Sequence, residues 1–123
     1  MLEEAKINRI KKELLEYATL VEGMIEKAIR GLLEADAGIL DSVINMDEPR
    51  SNDFELALDE MCIATIAQHQ PAGKPLRTIM MVSNINSTLE RIGDHAVTIC
   101  ESSLFLIERP PVKPLIDIPR MAE

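Results

Sequence analysis

Glu90 and Asp94 stand four residues apart in the stretch Leu-Glu-Arg-Ile-Gly-Asp-His-Ala-Val-Thr-Ile-Cys, residues 89–100. On an α-helix that spacing puts both carboxylates on one face, their Cβ atoms about 5–6 Å apart. Two acids that close raise each other's proton affinity unless a cation neutralises them. Between them sits Gly93, where glycine costs a helix roughly 1 kcal/mol relative to alanine. A glycine there has a use if another element, or a metal cluster, must approach the backbone closely.

The same spacing recurs at Glu55 and Asp59, and Glu48, Asn52, Glu55 and Asp59 follow one helical face. Helices joined by a short connection are antiparallel neighbours, and packed helices lie about 8–10 Å apart. Glu55, Asp59, Glu90 and Asp94 are therefore the candidate ligands of a four-carboxylate metal site. Oxygen donors select hard or intermediate cations such as Mg, Mn, Ca or ferrous iron. His95 offers a nitrogen, but as the neighbour of Asp94 it points about 100° away around the helix. A more ordinary role for it is a polar residue above Arg91. Arg91 itself reads as a surface or interface ion pair of small energetic worth. In so acidic a chain a single Glu-x-x-x-Asp is most often solvated surface. Two opposed instances, one flanked by glycine, make the stronger case.

Charge and composition exclude several alternatives. The net charge of −8 over 123 residues opposes binding to nucleic acid, which needs clustered Lys and Arg, and docking on anionic lipid. No stretch reaches the ~18 apolar residues of a membrane span, and the N-terminus lacks the basic and apolar regions of a signal peptide. Cys62 and Cys100 belong to no Cys-x-x-Cys motif and read as buried free thiols. A soluble, cytoplasmic protein is expected. Enzyme chemistry finds little support: there is no Glu-x-x-His pair of the ferritin type, no His-Glu-x-x-His and no phosphate-binding glycine loop.

The elements that must position the carboxylates are all helical. The chain suffices for one domain with one core. With only Tyr17, Phe54, Phe105 and no Trp, that core is aliphatic. A first helix is expected from about Glu3 to Ala35, its apolar face carried by Ile7, Ile10, Leu14, Tyr17, Val21, Met24 and Ala28 in a 3-then-4 rhythm. Leu15, Ala18, Ile25 and Leu32 widen that face enough for more than one neighbour. Asp36 is the expected N-cap of a second helix that runs to His69. On its seven-residue grid Leu40, Ile44, Phe54, Leu58, Met61 and Thr65 face the core. Asp47 and Ser51 fall on the same grid around Pro49, so a kink near 47–51 is expected to turn them outward. Gln70–Pro75 is a turn on composition, and a third helix follows to about Ile107. Its expected core stripe is Val82, Ile85, Leu89, Ile92, Ala96, Ile99 and Leu106. The methionines at 24, 46, 61, 80 and 81 are assigned to core filling, at least one of the last two lying off the stripe.

The fold expected is all-α: an antiparallel three-helix bundle over residues 1–108. Residues 109–123 read as a Pro-rich linker and the opening turn of a further helix, with Asp117 as N-cap and Pro119 in its first turn, as in a longer protein.

These residues resemble the PhoU family of phosphate-signalling regulators. Leu89–Ala96, Leu-Glu-Arg-Ile-Gly-Asp-His-Ala, is similar to the family's most characteristic stretch. Asp47-Glu48-Pro49 with Asn52, then Glu55-x-x-x-Asp59-Glu60-x-Cys62, is similar to its second helix. Gln70-Pro71 and Leu76-Arg77 match the following turn, and the likeness spans about residues 5–108. Departures are Ser87-Thr88 where Asn-Asp is common, Pro75 where an acidic residue is usual, and one extra residue between Pro49 and Asn52. The resemblance implies one of two tandem three-helix repeats, in a regulator that restrains the phosphate-starvation response. Its partners would be the ATPase of a phosphate ABC transporter and a sensor histidine kinase. It further implies that Glu55, Asp59, Glu90 and Asp94 belong to metal-binding motifs for divalent or ferric ions (Fe, Zn, Mn or Mg). The alternative is a metal-free helical scaffold that forms homo-oligomers through its wide apolar faces.

Overall fold

The computed structural model describes residues 2–108. α1 spans Leu2–Glu34, α2 Ala37–Ser42, α3 Glu48–His69 and α4 Lys74–Glu108. A π-helical segment, Val43–Asp47, joins α2 to α3. Ser42, Val43, Asp47 and Glu48 all keep right-handed helical backbone. α2, the π segment and α3 therefore form one arm, and the molecule is the expected three-arm antiparallel bundle. The linker assigned to residues 109–123 lies outside the described residues.

Local chemistry reverses the chain twice. At the end of α1, Asp36 N–H donates to Gly31 O over 2.9 Å and Ala35 N–H to Leu32 O over 3.4 Å. This is a Schellman closure with Ala35 in the left-handed region at φ 53°. Asp36 then caps α2, its Oδ1 accepting from Ile39 N–H at 3.2 Å, as its position predicts. At the second reversal Gln70 takes φ 47° and Gly73 φ 64°, and Gln70 N–H donates to Ile66 O.

Two buried clusters fill the bundle. One joins Ile10, Tyr17, Leu58, Ile79 and Val82. The other joins Met24, Leu40, Val43, Ala96 and Cys100. Leu20 and Ile25 touch both, so the core is continuous. Gly31 is where α2 lies hard against α1: a Cβ there would stand 2.6 Å from Leu40 Cδ2.

Three expectations are corrected. Asp47 and Ser51 do not turn outward; both are buried. Each has found an internal partner, Asp47 Oδ2 accepting from Lys27 Nζ at 3.0 Å and Ser51 Oγ lying 3.0 Å from Tyr17 Oη. The irregularity expected near Pro49 is taken up just before it by the π segment, where Glu48 N–H reaches back to Val43 O. The extra residue per turn re-aims the face without breaking the rod. Second, Met24 is buried, whereas Met46, Met80 and Met81 are exposed. Third, the buried residues of α4 are Ile79, Val82, Asn86, Gly93, Ala96, Val97, Cys100, Ser103 and Leu104, so Val82 and Ala96 of the expected stripe do face the core. Ile85, Ile99 and Leu106, assigned to the core by periodicity, are exposed.

Candidate metal-binding face

Two contacts fix the register of α3 against α4. Ser51 Oγ lies 3.3 Å from the place a Cβ of Gly93 would occupy. Two turns along, Asn86 Nδ2 donates to Glu55 O at 3.0 Å. The helices are antiparallel, with Ser51 level with Gly93 and Glu55 level with Asn86–Glu90. Gly93 is thus the point of close approach, and a glycine there leaves room for Ser51.

That register sorts the four candidate carboxylates. Glu90 and Asp94 lie within side-chain hydrogen-bonding reach, so a proton on Glu90 can be shared with Asp94. This sharing is the main reason the proton affinity of Glu90 is raised, followed by burial and then by the negative charges of Asp94 and Glu55. Arg91 opposes the shift. Glu55 therefore stands across from Glu90 and acts on it. Asp59 lies one turn further from Asp94, because the two motifs run in opposite directions. Eight residues, about 12 Å of helix rise, separate Ser51 at the level of Asp94 from Asp59. Asp59 is exposed, and its charge is felt at Cys62, where after burial it helps push the thiol up. Glu55, Glu90 and Asp94 are brought together; Asp59 is set apart from them. His95 is exposed, one residue round from Asp94.

Below the three carboxylates lies Tyr17, which is 0% exposed. Its ring stacks on Phe54 with centroids 5.5 Å apart and planes 11° from parallel. Burial raises its pKa, the Ser51 hydrogen bond opposes the rise, and the charges of Glu55, Glu90 and Asp94 add to it. One buried phenol thus registers all three acids. Asn86 completes this floor: its residue is buried and its Oδ1 has no hydrogen-bond partner. Tyr17, Ser51 and Asn86 were not among the sequence candidates. Their signal was present, since Asn86, Gly93 and Cys100 recur every seven residues on α4, a line too polar at first sight to be read as core.

The donor chemistry fits a cation in part. A carboxylate pair at an exposed surface, faced by a third acid, supplies charge and hard oxygen donors. Among the described residues, however, no group of three or more His, Cys, Asp or Glu side chains is arranged to hold a metal ion. Glu90 and Asp94 would hold such an ion, with Glu55 nearest to join them, and the remaining donors would come from water or another molecule.

The comparisons with known proteins agree with this architecture. A solved structure titled "Crystal structure of PhoU from Pseudomonas aeruginosa" superposes with a TM-score of 0.82 at 32% identity, over 85% of this chain and 50% of that one. A phosphate-specific transport system accessory protein PhoU homolog of Aquifex aeolicus is 35% identical over 118 residues, 96% of this chain and 53% of its own length. The accessory protein PhoU of Escherichia coli is 34% identical over 100 residues, 81% of this chain and 41% of its own. The chain spans about half the length of the curated relatives it matches. No helix among the described residues is long and apolar enough to cross a membrane. The PhoU domain profile matches residues 14–103, which take in α3, the Glu90–Asp94 pair and most of α1 and α4, and the chain belongs to the PhoU domain family.

Proposed function

We propose that the chain is a regulatory accessory of phosphate uptake that acts by protein–protein contact and performs no catalysis of its own. Its partners in this reading are the ATPase of a phosphate ABC transporter and the sensor histidine kinase that controls the phosphate-starvation response, which it restrains. That places it in the cytoplasm. The relatives' printed names, as accessory proteins of phosphate-specific transport, support the reading. The observation that carries it is the placing of Glu90 beside Asp94, close enough to share a proton, with Glu55 acting on them from α3, at a partly exposed surface of α3 and α4. A divalent or ferric ion bound there would neutralise the acids and alter what that face can dock against.

The test has two arms. Calorimetric titration of the metal-free chain with Mn²⁺, Zn²⁺ or Fe²⁺ is expected to show binding that Glu90→Gln/Asp94→Asn abolishes; equal binding by both proteins overturns the metal assignment. Capture of the purified transporter ATPase or of the kinase's cytoplasmic part on the immobilised chain is expected, and failure of both overturns the adaptor reading. The incomplete ligand set favours one alternative, a helical scaffold that docks without metal. Capture that is the same with chelator and with metal selects it.

A further inference from the structure

The acids of α3 and α4 lie along a groove, not at a point. Glu48, Asn52, Glu55 and Asp59 follow one face of α3 and span about 16 Å of helix rise. Glu90 and Asp94 form the opposite wall on α4, and Ser83 and Ser87 continue it toward the level of Asp59. Cations are kept off this groove. Arg50, the one Lys or Arg of α3, lies with Glu13 and Phe54 on the side of α1. Arg91 is the weakest of the influences on Glu90. Among the described residues, no Lys or Arg nitrogen comes within ion-pair distance of Glu48, Glu55, Asp59, Glu90 or Asp94. Asn86 is a second and separate sign. It is 5% exposed, and its Nδ2 is committed to Glu55 O. Its Oδ1 is left without a donor between the two helices, one turn from Glu90. A buried amide oxygen in that state is stabilised by any N–H group that reaches it. Apolar surface adjoins the acids as well. Leu56 and Ile63 on α3 and Met80 on α4 are exposed, and the antiparallel register sets Ile63 level with Met80.

We propose that this groove docks a basic amphipathic helix of a partner protein. A single metal ion engages Glu90 and Asp94, with Glu55 nearest, and leaves Glu48, Asp59 and the apolar residues unused. Acids spaced at i, i+7 and i+11 along one wall match a rod that carries cations at the same intervals, and a helix with Lys or Arg on one side is such a rod. Its apolar side covers Leu56, Ile63 and Met80, in the manner of an amphipathic helix laid in a groove. At the centre an arginine enters between Glu55 and the Glu90–Asp94 pair. The guanidinium carries five N–H donors in a planar fork, enough to serve two carboxylates and Asn86 Oδ1 together. The inference rests on the reading of the chain as an adaptor, and it names the surface and the chemistry of what docks there.

The probe is a fluorescently labelled peptide of about 18 residues with Leu on one helical face and Arg on the other. Its anisotropy is followed against the full chain in chelator, and binding with a Kd of about 10 µM is expected. Glu55→Gln/Glu90→Gln is expected to weaken binding about 10-fold or more. Glu22→Gln/Glu26→Gln removes the same charge from exposed positions of α1 and is expected to change it by less than about 2-fold, since distant surface charges are screened. Ile63→Glu separates docking from plain attraction. It adds a negative charge, so unspecific attraction of the peptide would tighten, whereas docking in the groove is expected to loosen about 10-fold. Ile63 is exposed, so the helical circular dichroism of that variant is expected to be unchanged. The inference is overturned by a wild-type chain that leaves the peptide free at about 500 µM. Equal losses in the Glu55/Glu90 and Glu22/Glu26 variants, or tighter binding by Ile63→Glu, overturn it as well. The adaptor reading fails separately: peptide binding with these losses supports the groove even where neither transporter ATPase nor kinase is captured. Capture of either that is indifferent to Glu55→Gln/Glu90→Gln and to Ile63→Glu overturns the groove and leaves the adaptor reading in place.

Discussion

Gly93 allows the contact between α3 and α4 to be tested by its sign. Replacing glycine by alanine in the middle of a helix stabilises it by roughly 1 kcal/mol when nothing else changes. Here the new Cβ would stand 3.3 Å from Ser51 Oγ, with Met24 Cε and Sδ at 3.8 and 3.9 Å. The methionine contacts are ordinary van der Waals distances; the hydroxyl contact is tight. Ser51 Oγ cannot swing away freely, because it is buried and holds Tyr17 Oη at 3.0 Å. Displacing it leaves a buried phenol unpaired, which costs about 1–3 kcal/mol. Gly93→Ala is therefore expected to be destabilising by up to ~2 kcal/mol, since the lost hydrogen bond outweighs the gain in propensity. The background Tyr17→Phe/Ser51→Ala removes both partners together, a change that can be nearly neutral. In that background Gly93→Ala is expected to stabilise by about 1 kcal/mol, or roughly 4 °C in Tm. Urea denaturation followed by circular dichroism of the four proteins measures the cycle. If Gly93→Ala has the same sign in both backgrounds, the account of Gly93 as space for the Ser51–Tyr17 bond is wrong.

Three further outcomes follow from the same geometry. Glu90 binds its proton more tightly in the folded chain than in the unfolded one. Its contribution is thus fully present below the ordinary glutamate pKa and is lost as pH rises through the higher folded-state value. In chelator, the urea midpoint of Glu90→Gln is expected to gain on wild type between pH 4 and 7; a constant difference refutes this. Cys100 is pushed up to about 11 by burial, with Asp47 and Glu101 adding to it, and Cys62 is also raised by burial. Both thiols are therefore expected to resist an aromatic disulfide reagent at pH 7.5 until urea is added, and rapid labelling of the native chain contradicts this. Ala35 holds the left-handed cap of α1 at φ 53°, which costs a residue with a Cβ about 1 kcal/mol. Ala35→Gly is accordingly expected to raise Tm by roughly 4 °C, and a fall in Tm would show that the strain is not there.

The fold was legible because each signal was local. The Asp36 cap, the Gln70–Gly73 turn and the apolar rhythms each name a helix end or face without reference to the rest of the chain. The site was legible only in part, for a reason of direction. Spacing along one helix places Glu90 beside Asp94 whatever the partner, but the level of one helix against another is set by packing. Antiparallel register brings Glu55 across from Glu90 and carries Asp59 away, and nothing in the spacing of either motif encodes that offset.

The α4 stripe shows the converse problem. Residues 85, 92, 99 and 106 form a cleaner apolar heptad than the line that faces the core, which includes Asn86, Gly93 and Ser103. Apolar periodicity alone assigns the cleaner line to the interior. The interior instead takes the line with small and polar residues, because the close approach of α3 needs them: Gly93 makes room for Ser51, and Asn86 ties to the backbone of Glu55. Cys100 follows on this line under the π segment, within reach of the charge of Asp47. A helix with two usable faces buries one against its own chain according to contact distance and hydrogen bonding. In α4 much of the more hydrophobic line, Ile85, Ile99 and Leu106, is left at the surface, while Ile92 is half-buried against the core. Three of the α4 residues that most resemble a core therefore lie at the surface, while those that resemble defects set the contact with α3.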